Sequence, residues 1–338
     1  MTETEFYPSN SEEIIATLGR ERLRAILQKM VLIRNFELRA EAAYQQGHIG
    51  GFFHSYIGQE AIQTACLEVV DHTNWFLTSY RCHALALLLG ATPDEMMAEL
   101  YGKATGNAKG RGGSMHMFLD HMLGGFGIVS NQISVAAGAA FSAKYRGTKE
   151  IAVCFLGDGA MAQGTFHETL NLSSLWELPC LFVVENNQWG MGTHVSRAVA
   201  NYQQFSTLIA KAFNIPSYRL DGMDFLNCYG GFREAAEKVR TSGRPVLCEC
   251  IGERFKGHSI SDPGLYRTKE ALRASQERDP ILLLKKTLIA KGLLTEADYE
   301  AIDKACREKV IASMKFADES PYPDPKTLGT CVYIEEGA

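Results

Sequence analysis

Apolar side chains at Leu23, Ile26, Leu27, Met30 and Val31 recur at helical spacing and predict a helix over residues 11–46. The glycine-rich break GHIGGFFH follows, and a second helix is expected over 59–71. ATPDEMMAELYG reads as a third, with Thr92 as cap, Pro93 at the first helical position and Glu95 closing a capping box. Residues 131–145, NQISVAAGAAFSAKY, predict a helix of small residues suited to close packing. From residue 151 the pattern changes. Apolar runs without alternation at 151–156, 180–185, 217–220 and 245–250 predict strands, and helical stretches at 164–176, 202–213 and 229–242 separate them. Such strands belong to a parallel sheet buried on both faces, and right-handed crossovers make it doubly wound.

The expected fold class is therefore α/β: a doubly wound, mainly parallel sheet with helices on both faces and helical additions at each end. The chain divides into an N-terminal helical segment (1–50), an α/β domain (51–268) and a C-terminal helical segment with an extended tail (269–338). Within the last, Asp279-Pro280 opens one helix and Thr295 caps the next. GNAKGRGGSMH must be a loop, because its glycines would weaken any regular element. Residues 251–268 lack periodicity and follow a sheet strand, a place where function concentrates.

Composition narrows the function classes. Apolar residues make up 46% and charged residues 22% of the chain, which is ordinary for a globular protein with a sizeable core. The net charge is −5 and no Lys/Arg block occurs, so nothing favours nucleic acid or an anionic membrane. No apolar run approaches the ~20 residues of a membrane span. The opening MTETEFYPSNSEE is neither a signal peptide nor an Arg-rich transit peptide. The nine cysteines are scattered and form no CxxC, which points to reduced thiols in a cytoplasmic protein. Cys248 and Cys250 are expected on one face of a strand, not in a zinc site.

The chemistry centres on FLGDGAMAQG. Gly157-Asp158-Gly159-Ala160 follows a strand and leads toward a helix, where glycines usually cradle a phosphate. Gly157 to Ala162 also fits G-x-G-x-x-A, and Glu185 ends the next strand where a dinucleotide's ribose acid would sit. Asp158, read as an exposed loop acid, counts against that alternative, as does ENNQWGMGT. Asp158, an oxygen of Asn187 and a carbonyl of the following turn are good ligands for a hard cation, and a diphosphate completes such a shell.

GDG followed after the next strand by Asn186-Asn187 resembles the thiamine diphosphate fingerprint. GQEA (58–61), TSYRCH (78–83), KGRGGSMHMF (109–118), GIVSNQ (127–132) and KGHSISDPG (256–264) stand in order around it. Together they resemble the thiamine diphosphate-dependent 2-oxo acid dehydrogenases, in particular alpha subunits of the pyruvate dehydrogenase decarboxylating component. The resemblance runs from about residue 20 to 330. It implies Asp158, Asn187 and the carbonyl of Trp189 as magnesium ligands, and Gly159 and Ala160 as backbone contacts to the diphosphate. Tyr80 and Arg81 would contact phosphate, with Arg254 as a second cation, and Gly127 and Val129 would touch the aminopyrimidine. His54 and His258 would be the catalytic histidines near the reactive carbon.

Read alone, Arg81 is as good an ion-pair arginine and His54 as good a core histidine. His116, and Lys109 and Arg111 of the KGRGG turn, read as structural. The implied activity is oxidative decarboxylation of pyruvate, with the acetyl group passed to a lipoyl group and acetyl-CoA and carbon dioxide formed in the whole complex. The glutamate that activates the coenzyme has no second α/β domain to sit in here. The resemblance therefore implies a beta subunit, two alpha plus two beta chains, and a lipoyl-bearing dihydrolipoamide acetyltransferase core. Ser259 matches a serine that is phosphorylated in mammalian relatives. Order in 256–264 is expected to come from coenzyme and neighbouring subunits. Alternatives are the alpha subunits of branched-chain 2-oxo acid or acetoin dehydrogenases, a nicotinamide-dependent Rossmann oxidoreductase, and a non-enzymatic assembly subunit.

Overall fold

The computed structural model describes residues 5–330. The ninth cysteine, Cys331, and the end of the expected tail lie outside the described residues. The strands are β1 (Trp75–Ser79), β2 (Met122–Phe126), β3 (Ala152–Gly157), β4 (Cys180–Asn186), β5 (Trp189–Gly190), β6 (Thr193–His194), β7 (Ser217–Asp221) and β8 (Val246–Ile251). The helices begin with α1 (Ser11–Gln45), α2 (Glu60–Leu67), α3 (His83–Leu88), α4 (Pro93–Leu100), α5 (Asn131–Arg146) and α6 (Gly164–Leu175). They continue with α7 (Val195–Ala198), α8 (Phe205–Ala212), α9 (Phe225–Ser242), α10 (Lys269–Gln276), α11 (Pro280–Ala290) and α12 (Glu296–Glu319).

Six strands pair in the order β2-β1-β3-β4-β8-β7, all parallel, and β5 and β6 form a two-residue ribbon beside them. Side chains alternate between two cores. Val153, Phe155, Leu181, Val183, Cys248 and Cys250 face one cluster, which holds buried residues of α1, α2, α9 and α12. Cys154, Leu156, Phe182, Val184 and Leu247 face the other, with α5, α6 and α8. Both faces are covered, as strands without polar alternation require. Cys248 and Cys250 share one face, and the eight described cysteines are all buried and unpaired.

The Thr92/Glu95 and Thr295/Asp298 capping boxes both form, and Asp279 caps the helix that Pro280 opens. Besides the short β5, β6 and α7, three elements escape the hydrophobic pattern. β1 and α3 are short, and β2 reads MLGGF, a poor strand sequence. Its glycines are there for approach, not propensity: a Cβ on Gly125 would stand 2.6 Å from the Met115 carbonyl and 2.7 Å from the Cys82 side chain. The expected helix over 11–46 is broken at Gly19, whose φ of 68° is non-helical.

A buried ion pair ties the N-terminal helix to the sheet's periphery. Glu37 on α1 and His83 on α3 are both fully buried. His83 Nδ1 donates to Glu37 Oε1 at 3.1 Å, and Nε2 donates to the Ser114 carbonyl at 2.8 Å. With both ring nitrogens donating, the ring is an imidazolium. Burial is the largest influence and works against that charge, but Glu37 and the Ser114 carbonyl together hold the His83 pKa above its ordinary value. Its contribution to stability is complete below about pH 6.5 and is lost as pH rises through the folded-state value. His83→Gln should therefore lower unfolding free energy by ~3–5 kcal/mol near pH 6, the usual cost of stripping one partner from a buried pair. The gap to wild type should narrow toward pH 9 in a urea-denaturation series. A gap constant across that range would mean that the ring is neutral in the fold.

Candidate active site

The sheet order reverses between β1 and β3: β1 connects outward to β2, and the chain then returns across β1 to β3. Ligands of open α/β sheets bind outside the carboxyl ends of the strands at such a switch point. The expected site residues sit there. Tyr80 and Arg81 follow β1, Gly127 and Val129 follow β2, Asp158 follows β3, Asn187 follows β4, and Arg254 and His258 follow β8. A cavity of about 230 Å³ is lined by Tyr80, Arg81, Val129, Asp158, Gly159, Ala160, Asn187, Trp189, Arg254 and His258. His54 lies outside this lining but packs against Tyr80 and His258, and Gly127 is not part of it.

Asp158 is not the exposed acid that its loop position suggests. It is 2% exposed, and its Oδ2 has no hydrogen-bond partner. Burial pushes its carboxyl up to about 6, against the pull of its own backbone amide, Arg254 and the amide of Asn187. Gly159 and Ala160 lie on a 3-10 turn, Asp158–Ala162, and α6 starts only at Gly164. The GDG loop thus does not open directly onto a helix N-terminus, as a dinucleotide fingerprint requires. Glu185 does not suit a ribose contact either, since it is buried and accepts a hydrogen bond from the Tyr56 hydroxyl. Burial pushes its carboxyl up to about 7. Asn187 donates through Nδ2 to Gln59 Oε1 at 3.0 Å, and its Oδ1 accepts from Trp189 N at 3.2 Å.

Both arginines are buried and spend their donors on neutral oxygens. Arg81 donates to the Ser55 carbonyl at 2.7 Å and the His258 carbonyl at 2.6 Å. Arg254 donates to the carbonyls of Lys256 (3.1 Å), Met191 (3.2 Å) and Trp189 (3.4 Å), and to the Tyr266 hydroxyl (2.6 Å). Burial and then Arg254 pull the Arg81 pKa down to about 10. His54, Tyr80 and His258 form an aromatic cluster, with ring centroids 4.3 Å (His54–Tyr80) and 5.0 Å (His54–His258) apart. Burial, then Arg81, pulls His54 down to about 2 and His258 to about 4. Both rings are neutral at pH 7, and His54 Nδ1 has no partner.

Within residues 252–268, including the 256–264 stretch expected to take its order from coenzyme and neighbouring subunits, the chain also bonds to itself. Asp262 accepts from the amides of His258 (2.6 Å) and Gly264 (2.8 Å) and from the Tyr266 hydroxyl (2.6 Å). Arg267 donates to the carbonyls of Arg254 and Lys256.

The KGRGG turn is a backbone nest, but its anion comes from the chain itself. The Glu99 carboxylate accepts from the amides of Ala108, Gly110, Gly112 and Gly113 at 2.7–3.2 Å. Arg111 points away, to Thr327 and Thr330, and His116 bonds to the Gly125 carbonyl. Among the cavity-wall groups that residue patterns miss are Gln59, Gln132, whose buried Oε1 has no partner, and Ser130, held at φ 76° with its hydroxyl on the Ala160 carbonyl. Gln59 lies in GQEA and Ser130 and Gln132 in GIVSNQ, so only those stretches could have flagged them.

The sequence profile of the family described as "Dehydrogenase E1 component" matches residues 28–326. The chain belongs to this family. A Rickettsia felis relative, "Pyruvate dehydrogenase E1 component subunit alpha", is 43% identical over 306 residues, covering 90% of this chain and 93% of the relative. A Rhizobium meliloti relative of the same name is 41% identical over 323 residues, covering 95% and 92%. The human "Pyruvate dehydrogenase E1 component subunit alpha, somatic form, mitochondrial" is 38% identical over 325 residues, covering 96% and 82%.

In this E1 chain the glycine-rich turn already holds its own carboxylate, so its basic residues should be spectators. Lys109→Ala with Arg111→Ala should leave anionic-coenzyme affinity within about twofold, the scatter expected of exposed charges. Isothermal titration calorimetry checks this, and a tenfold loss would return the turn to the site.

Proposed function

We propose that the chain is the alpha subunit of a pyruvate dehydrogenase decarboxylating component, which binds thiamine diphosphate through magnesium. With a beta subunit it oxidatively decarboxylates pyruvate and passes the acetyl group to a lipoyl group of a dihydrolipoamide acetyltransferase. The observation that carries this reading is the mismatch of charge inside the cavity. Two buried guanidiniums have only neutral partners, and one buried carboxylate oxygen has none. A cation on Asp158 and a diphosphate toward Arg81 and Arg254 satisfy all three. The named relatives favour pyruvate over branched-chain or acetoin substrates, and the strand order does not suit the Rossmann alternative.

Among the described residues no cluster of three His, Cys, Asp or Glu side chains could hold a metal. A magnesium ion here would take Asp158, the Asn187 oxygen and the Trp189 carbonyl, with the rest from phosphate and water, as this ion prefers. When bound, thiamine diphosphate supplies the carbon that attacks the 2-oxo group and accepts the electrons released with carbon dioxide. The chain supplies position and charge. Tyr80, Gly159 and Ala160 would hold the diphosphate end, and Val129, with Gly127 near it in sequence, would hold the aminopyrimidine end. His258 lines the cavity and His54 stands beside it. Both are neutral, so each can accept a proton and return it during acetyl transfer.

Several features support a partner. Phe52, Ile128, Val129, Met191 and Leu265 are exposed near the cavity, and Phe141, Tyr145, Leu172, Leu175 and Trp176 form a second exposed apolar group on α5 and the end of α6. Contiguous exposed apolar surface marks an interaction site, and a beta subunit bringing the activating glutamate suits it, in a two-alpha, two-beta assembly. Buried thiols suit the cytoplasm, and no described helix is long and apolar enough to cross a membrane.

The alpha chain alone should show no pyruvate decarboxylation above background, and co-expression with a beta chain should restore it. Turnover by a verified alpha-only preparation would sink the reading. Asp158→Asn in that complex should lose magnesium-dependent coenzyme binding by ~10²-fold or more, since a metal ligand is lost. The thermal midpoint without coenzyme should not fall, because Oδ2 makes no hydrogen bond to lose. Calorimetry and thermal scans read the two effects separately.

A further inference from the structure

Gln59 occupies the N-cap position of α2 but caps nothing. Its side chain makes no bond to the first turn, and glutamine is not among the residues favoured there. The local backbone is served by its neighbour, since Glu60 Oε2 accepts from the Gly58 amide at 2.9 Å. Gln59 is 1% exposed, lines the cavity, and accepts from Asn187 Nδ2 at 3.0 Å. Helix capping therefore does not explain this buried polar side chain, and its one resolved bond goes to a proposed cation ligand.

An asparagine amide has one oxygen and one NH2 group, and only the oxygen can ligate a hard cation. A half-turn about the terminal torsion exchanges them. Gln59 Oε1 can bond only the nitrogen side, and the Trp189 amide, 3.2 Å from Oδ1, only the oxygen side. The Trp189 amide can only donate, so it selects Oδ1 toward the 187–190 turn, and Gln59, presenting Oε1, receives Nδ2 on the α2 side in that same orientation. We infer that Gln59 is a positioning residue whose Oε1 bond to Asn187 Nδ2 keeps the Asn187 oxygen turned to the cation site. This rests on the reading of Asp158 and Asn187 as cation ligands. Partners of this kind, one step behind the ligands, are worth ~10–100-fold in metal affinity.

The test uses the co-expressed alpha–beta complex. Magnesium is titrated at fixed thiamine diphosphate, and binding is followed by tryptophan fluorescence and calorimetry. Gln59→Met keeps the length and loses the acceptor. It should raise the apparent magnesium Kd by ~10–100-fold and still bind coenzyme at saturating magnesium. Gln59→Glu restores an acceptor and should stay within about threefold of wild type. In an Asn187→Asp background either oxygen can ligate, so orientation no longer matters and Gln59→Met should cost less than about twofold.

A packing role predicts the same loss in both backgrounds, and that result would overturn the inference. So would a Gln59→Met complex within twofold of wild type. If Gln59→Met fails to assemble, Gln59→Glu decides, and a tenfold loss there rejects the role. Full binding by Asp158→Ala would remove the cation site itself, and this inference with it. A normal Asp158→Ala loss beside an unaffected Gln59→Met rejects Gln59 alone.

Discussion

Arg81 holds the site together through main-chain oxygens. Its guanidinium bridges the carbonyls of Ser55 and His258, so one side chain at the end of β1 pins two segments distant in sequence. The seam continues in backbone bonds from Phe255 N to the Ile57 carbonyl and from Ile260 N to the Phe53 carbonyl. Gly58, at φ 101°, lies inside it, and a Cβ there would stand 2.4 Å from the Glu253 carbonyl. Only glycine permits that approach. His54 and His258 meet because this seam closes, and the price is a buried cation whose hydrogen bonds go to neutral carbonyls.

What was legible in the sequence was what is local. Asp158 and Asn187 could be found because each directly follows or ends a strongly apolar strand, and parallel neighbours must place those ends together. The β3–β4 register does so, with Gly157 opposite Glu185. β2 was hidden because its glycines let backbones approach at the expense of β-propensity, and β1, WFLTS, because it is a single short run of five residues. Glu99 shows the same limit from the other side. Nothing in a basic, glycine-rich turn announces that its nest is filled by a carboxylate from α4, because the contact is tertiary.

Residues 252–268 show where absence of periodicity misleads. The stretch is neither helix nor strand, yet the chain Arg254–Tyr266–Asp262–His258 links it end to end. Asp262 plays the part of a miniature core, taking three donors on two oxygens. Ser259 sits inside this network, 9% exposed and 3.0 Å from the Ser261 hydroxyl. A charge placed there would meet a set of bonds already satisfied by another carboxylate, so it would compete with Asp262 for the same donors before it reached any coenzyme.

The electrostatics of the cavity make its acid–base capacity depend on what it binds. Burial is the larger cause of the low basicity of His54 and His258, and Arg81 is the next. Burial is fixed by the fold, whereas the repulsion from Arg81 and Arg254 is cancelled by an anion laid between them. Such an anion raises both histidines without moving either ring, and recovers only the part of the shift that the arginines imposed. The same anion would push the Asp158 carboxyl up as well, which disfavours its charge, and a cation between them would let carboxylate and diphosphate share one cavity. The two arginines, the acid and the histidines are thus one charge system, and each group's protonation state is set by the ligand that balances the whole.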